Sequence, residues 1–399
     1  MKRRVGVVTV GRSDYGYYYP LLKAAEADPN CELHLIVGGA HLSPQYGNTV
    51  AQIEADGFEI SKRVHMLLSD DSPEAIATSI GVGVMNFAAA YSSVQPEILV
   101  LLGDRFEMLA AAIAALPLRL PIAHIHGGEV TQGAIDDGIR HAITKLSHLH
   151  FAAAPAYANR IQQMGEDPER VFVTGSPIVD AILAEPIISK HELENELGAE
   201  LDDALLVTYH PVTLEHERTE ENLQNLLAAL DRLPNELLFT YPNADTGNAL
   251  IIDQIQKFAL TRPRVHIFIN LGHRKYHAIQ RYAAVMVGNS SSGILEAALF
   301  NLPVVNIGDR QKGRLRTPNI IDVRDDVGAI ETAIQTALSS KFKRSLTKVE
   351  SPYGKGDASR KILEVIMTVP LNGELLKKKF FDLSGLREAI VASAATVGN

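Results

Sequence analysis

Short runs rich in valine, isoleucine and leucine alternate with longer segments of helical periodicity along most of this chain. A strand joined to the next through a helix pairs parallel to it. This alternation therefore restricts the chain to βαβ units and to parallel sheets covered by helices. Strands are expected at residues 5–10, 32–37, 98–102, 122–126 and 171–173, with helices near 74–91, 106–115 and 139–147. A second set of strands is expected at 204–208, 237–240, 265–268, 285–287 and 304–306, with helices near 220–233 and 293–299. Residues 178–200 are helical and acidic and read as a linker plus the first helix of a new unit. A length of 399 residues also exceeds what one core usually organises. The expected fold is α/β, with two Rossmann-like domains at residues 1–180 and 181–370 facing a central cleft. A helical tail over 371–399, amphipathic near 383–394, is expected to pack back across the junction.

Composition narrows the function. A net charge of −9 argues against a nucleic-acid binder, whose affinity comes from many lysine and arginine contacts to phosphate. Cys31 is the single cysteine, which excludes an internal disulfide framework and a four-cysteine zinc site; a buried, inert thiol is expected there. The N-terminus passes from Met1-Lys2-Arg3-Arg4 straight into a strand-like run, without the apolar core of a signal peptide. The apolar stretches look shorter than a membrane span needs, so a soluble, cytoplasmic protein is expected.

In a doubly wound sheet, ligands bind at the carboxyl ends of the strands, so the loops that follow the expected strands matter most. GRSDYG at 11–16 ends a strand in a glycine turn with Arg12 at the mouth of a helix, an arrangement suited to a diphosphate or to a plain capped turn. GDRFE at 103–107 places Asp104 either as a helix cap or as an acid or base. As a cap alone it would tolerate Asp104→Asn, because asparagine caps equally well. HIHGGE at 124–129 runs on to Asp136, Asp137, Arg140 and His141. Carboxylates and histidines this dense, among glycines, exceed what capping requires. Paired carboxylates in a cleft divide acid from base because their environments push their pKa values apart. In the second half, YHP at 209–211 ends a strand in His210, a donor for phosphate. GNSSSGILE at 288–296 offers the hydroxyls of Ser290, Ser291 and Ser292, free helix N–H groups, and Glu296 for a ribose diol; a capped helix with a surface glutamate is the plainer alternative. Residues 308–316 place Arg310, Lys312, Arg314 and Arg316 in one loop that is either solvated or closes on the ligand.

With IDDGIRHAITK at 135–145 and NIGDRQKGR at 306–314, these motifs in this order resemble the hydrolysing UDP-N-acetylglucosamine 2-epimerases of sialic acid biosynthesis, over nearly the whole chain. The resemblance implies the two-Rossmann, GT-B-like build of many nucleotide-sugar glycosyltransferases. It implies anti-elimination of UDP across C1–C2 to a 2-acetamidoglucal, then hydration to N-acetylmannosamine, with no cofactor and no metal. Asp104, Glu129 and Asp136 fall on the family's acid/base positions, and His126 stands where some relatives carry a glutamate. Arg12, His210, Ser290, Ser291, Ser292 and Glu296 fall on UDP-binding positions. The implied partners are a UDP-sugar and further copies of the chain, as a dimer or tetramer. UDP-N-acetylglucosamine is the favoured substrate; relatives that act on UDP-2,4-diacetamido-2,4,6-trideoxy sugars for legionaminic acid carry nearly the same motifs.

Three other classes compete. A GT-B glycosyltransferase would keep the UDP site and pass the sugar to an acceptor, but a cluster of carboxylates at one strand end favours elimination. A metal-dependent hydrolase would use His124, His126, Asp136, Asp137, His141 and His148, whose spacing fits no standard zinc pattern. A sensor would bind the UDP-sugar without turnover.

Overall fold

The computed structural model describes residues 2–243, 245–346 and 349–382. Seven strands, β1 (Arg3–Thr9), β2 (Cys31–Gly38), β3 (Ile60–Val64), β4 (Ile98–Leu102), β5 (Ile122–Ile125), β6 (Leu149–Ala152) and β7 (Val171–Val173), form one sheet. Their order is β3-β2-β1-β4-β5-β6-β7, and every pairing is parallel. A second parallel sheet contains β8 (Leu205–Thr208), β9 (Leu237–Thr240), β10 (Val265–Phe268), β11 (Val285–Gly288), β12 (Val304–Ile307) and β13 (Ile320–Val323), ordered β10-β9-β8-β11-β12-β13. The two-Rossmann expectation holds. In each sheet the order reverses beside the first strand, between β1 and β4 and between β8 and β11. Such a reversal sends neighbouring loops apart and leaves a crevice for a ligand.

The central strands are mostly apolar because helices cover both faces, and Ile98–Leu102 is apolar and buried along its whole length. Three strands escape the sequence pattern. Both β3, with exposed Lys62 and Arg63, and β13, with exposed Asp322, lie at sheet edges, where fewer apolar side chains are needed. At β6, His148 just before the strand and His150 within it interrupt the apolar run, and both are buried with hydrogen bonds, to the Ile122 N–H and to Glu166.

The helix Pro73–Val94 corrects the expectation that no apolar stretch is long enough for a membrane. Within its 22 residues an 18-residue window has a mean hydropathy of 1.3, sufficient by length and composition. In the fold it packs on the helix Phe106–Ala115, with Gly83, Phe87, Ala90 and Tyr91 buried.

Beyond Gly175 the chain leaves the first sheet through the helices Pro177–Ala184 and Lys190–Leu197. It returns at Tyr353, before residue 370, where the second unit was expected to end. The cause is a cap and an apolar face. The Asp180 carboxylate accepts the Ala358 and Ser359 N–H groups, and Ile362, Leu363 and Ile366 of the helix Ala358–Thr368 enter the first core. The two crossings touch: the Ser176 N–H donates to the Tyr353 carbonyl at 2.7 Å, and a Cβ on Gly175 would stand 3.1 Å from the Gly354 Cα. The expected amphipathic stretch at 383–394 lies outside the described residues.

Candidate active site

The carboxyl ends of β1, β4 and β5 face those of β8 and β11 across a cavity of about 200 Å³. All ten side chains selected from sequence line it: Arg12, Asp104, His126, Glu129, Asp136, His210, Ser290, Ser291, Ser292 and Glu296.

Asp104 is not a helix cap. The helix Phe106–Ala115 is capped at Arg105 without any side-chain bond, and the Asp104 carboxylate instead accepts from the buried Arg140 guanidinium. Arg140 also donates to the Glu129 carbonyl at 3.0 Å and to the Thr131 hydroxyl at 3.1 Å. Glu129 pairs with His126 Nδ1 at 2.7 Å and with Arg314 at 3.1 Å. Burial alone would push this carboxyl up, but Arg314 and then His126 outweigh it and hold Glu129 below the usual range. Asp136, in the first turn of the helix Asp136–Leu146, is pushed the other way, first by burial and then by Asp245 of the second unit. Asp245 is itself held by Arg105 at 2.6 Å and faces Arg310 at 3.9 Å. The cavity thus contains one carboxyl held ionised and another pushed toward holding its proton.

His126 adopts a left-handed backbone, φ 67°, which turns its ring between Glu129 and the Ser176 hydroxyl, 2.8 Å from Nε2. The glutamate and histidine positions left open by the resemblance are therefore one hydrogen-bonded pair. Gly128 enables this turn: its φ is 75°, and a Cβ there would meet the Tyr157 carbonyl at 2.3 Å.

In the second unit, Asn289 brackets His210, accepting its N–H at 2.7 Å and donating to its carbonyl at 2.8 Å. The Asn243 N–H donates to His210 Nδ1 at 3.1 Å, which leaves the ring proton on Nε2. Burial, with Arg310, Arg12 and Arg105 nearby, pushes His210 well below the usual imidazole range. It is a neutral donor, without the positive charge that would strengthen a bond to phosphate. Ser290 and Ser292 share a hydrogen bond of 2.9 Å, Tyr276 joins Ser292 at 2.7 Å, and Ser291 begins the short helix Ser292–Leu295. Glu296 is no surface residue: Tyr17 and Gln280 donate to it, and His277 lies 3.5 Å away. Arg12 lines the cavity, and its guanidinium bridges the cleft to the Tyr241 and Ile269 carbonyls, whose loops end β9 and β10.

Sequence reasoning missed the arginines that partner the carboxylates, namely Arg105, Arg140, Arg310 and Arg314. Each stood inside a quoted motif. Of the four cations at 310–316, Arg310 and Arg314 line the cavity, whereas Lys312 pairs outward with Asp309 and Arg316 with Asp322. The six groups of the metal-site alternative form no three-residue cluster able to hold a metal among the described residues. His124, for example, is bonded to the Gly103 carbonyl and Thr144.

Comparison with known proteins agrees with this geometry. A protein of Campylobacter jejuni named GDP/UDP-N,N'-diacetylbacillosamine 2-epimerase (hydrolyzing) is 39% identical over 96% of this chain and 100% of its own. A Legionella pneumophila UDP-N,N'-diacetylbacillosamine 2-epimerase (hydrolyzing) is 38% identical, over 95% and 99%. The polysialic acid biosynthesis protein P7 of Escherichia coli is 33% identical, over 96% and 98%. The fold matches that of a Neisseria meningitidis UDP-GlcNAc 2-epimerase solved with UDP-GlcNAc, with a TM-score of 0.78 and 17% identity over 92% of this chain and 100% of the other. The family model described as UDP-N-acetylglucosamine 2-epimerase matches residues 23–367, and the chain belongs to that family.

Proposed function

We propose that the protein is a hydrolysing 2-epimerase of UDP-linked 2-acetamido sugars, working by elimination and then hydration. The observation that carries this proposal is the pair of carboxyls lining one cavity in opposite surroundings, Glu129 against Arg314 and His126, which hold it down, and Asp136 facing Asp245, which with burial pushes it up. Glu129 removes the C2 proton, and the C1–O bond breaks with departure of UDP, leaving the C1–C2 double bond. His210 Nε2–H and the serine hydroxyls donate to the departing diphosphate. Water then adds at C1 and a proton at C2 on the opposite face, delivered by Asp136 or Asp104, to give a free manno-configured sugar. The ionisation of Glu129 and the raised value of Asp136 match these opposite demands.

Between the two substrates, the relatives named for diacetylbacillosamine, at 39% and 38% identity against 33% for the polysialic acid protein, favour UDP-2,4-diacetamido-2,4,6-trideoxyglucose over UDP-N-acetylglucosamine. Proton NMR of both UDP-sugars in deuterium oxide tests the reaction and the choice together. UDP and a manno-configured sugar deuterated at C2 are expected, faster from the diacetamido substrate. A product that keeps its C2 hydrogen overturns the elimination.

A further inference from the structure

Glu129 stands where an ionised carboxylate is costly, fully buried beside the strand end of β5. Arg314, which offsets that cost, comes from the other sheet, in the loop after β12. Its neighbours are pinned to the first unit. The Gln132 N–H donates to the Lys312 carbonyl at 3.2 Å, the Leu315 N–H donates to the Tyr157 hydroxyl at 3.1 Å, and the Tyr353 hydroxyl donates to the Leu315 carbonyl at 3.1 Å. Two glycines let the loops meet. Gly313, φ 92°, lies so close to Val130 that a Cβ would stand 2.5 Å from its Cγ1, and a Cβ on Gly133 would stand 3.0 Å from the Arg310 Cα.

The guanidinium is only partly used. One nitrogen reaches Glu129, while Nε and Nη1 are buried without a hydrogen-bond partner, and the side chain lines the cavity. An ion pair serving stability alone would satisfy those donors within the protein, because leaving a buried donor unpaired is destabilising.

We infer that Arg314 is a positioning residue for the reaction, keeping Glu129 deprotonated and aimed at the substrate while its two remaining donors await the substrate group beside the proton that Glu129 removes. The inference rests on the proposed role of Glu129 as the base. The other ionisable groups around Glu129 are His126 and His124 from β5 and its loop, Tyr17 from the helix Arg12–Ala27, Tyr157 and Tyr353, and Arg140, which donates to the Glu129 backbone carbonyl. Burial pushes the three tyrosines up, so they stay neutral, and pushes His124 down to about 3. Arg140 pairs with the Asp104 carboxylate, and Arg314 is the guanidinium that pairs with the Glu129 carboxylate.

The test is the pH–rate profile of wild type, Arg314→Gln, Arg314→Lys and Gly313→Ala, with UDP release measured in deuterium oxide and UDP affinity measured by calorimetry. In Arg314→Gln the acid limb of kcat should move up by about 1–3 pH units, the effect of removing an adjacent opposite charge, with UDP affinity near wild type. Arg314→Lys should recover part of the limb. Gly313→Ala should displace it with the guanidinium intact, so the test survives if Arg314→Gln fails to fold. An acid limb unmoved in both Arg314→Gln and Gly313→Ala, with wild type still placing deuterium at C2, overturns the role of Arg314 alone. A wild-type product without deuterium at C2 overturns the base and this inference together.

Discussion

Asp104→Asn separates chemistry from scaffolding in one side chain. From sequence, the change would be silent if Asp104 only capped a helix, but the structure places its carboxylate on Arg140, whose side chain is 1% exposed against 21% for Asp104. Removing one partner of a fully buried ion pair costs about 3–5 kcal/mol. Here the loss is smaller, about 1–2 kcal/mol, because asparagine keeps an acceptor and exposed pairs contribute less. Asp137 also remains 3.5 Å from the same guanidinium. At roughly 2–4 °C per kcal/mol for a domain of this size, Tm should fall by about 2–8 °C. If Asp104 also transfers a proton, kcat should fall by roughly 10²–10⁴ when assayed well below the new Tm. Scanning calorimetry and steady-state UDP release read the two effects independently. A variant with lowered Tm and near wild-type kcat would confine Asp104 to holding Arg140 and refute its acid/base role.

His210→Ala should weaken UDP binding by about 0.5–1.5 kcal/mol, the value of a neutral hydrogen bond, with the loss constant above the ordinary imidazole range because burial holds His210 neutral there; unchanged affinity in calorimetry would place the diphosphate elsewhere. His277, 2.8 Å from Glu185 and 3.5 Å from Glu296, is raised to about 9 by these carboxylates against the effect of burial. A folded value above the unfolded one stabilises fully below about pH 6.5 and ceases to do so as pH rises through 9, so the Tm difference between wild type and His277→Gln should be wide at pH 6 and shrink toward pH 10. A difference independent of pH would refute the bridging charge.

The strand ends were legible because apolar runs and the polar loops behind them are local features, and parallel topology carries those loops to one edge. The carboxylates stood out by density within one loop. Their arginines did not, because Arg314 and Arg310 acquire meaning only when one unit's loop lies against the other's, and Arg140 only when its helix turns it back toward Asp104. The short spacing from Asp137 to Arg140 on one helix face signalled only the pairing of those two, not the reach to Asp104. Arg12 lines the cavity as the sequence placed it, but its bonds to the Tyr241 and Ile269 carbonyls were not legible, because the facing loops come from the other unit.

The contact between Gly175 and Gly354 sets the two chain crossings side by side. The Ser176 N–H on the Tyr353 carbonyl locks the two crossings together at one place. From that place the contacts run directly to the carboxylate: Leu315, tied to Tyr353, anchors the loop that brings Arg314 to Glu129, and Ser176 holds His126. Arg105 with Asp245, and the Ala249 N–H with Asp71, join the same two units elsewhere. The residues that connect the units are thus also the ones that assemble the base.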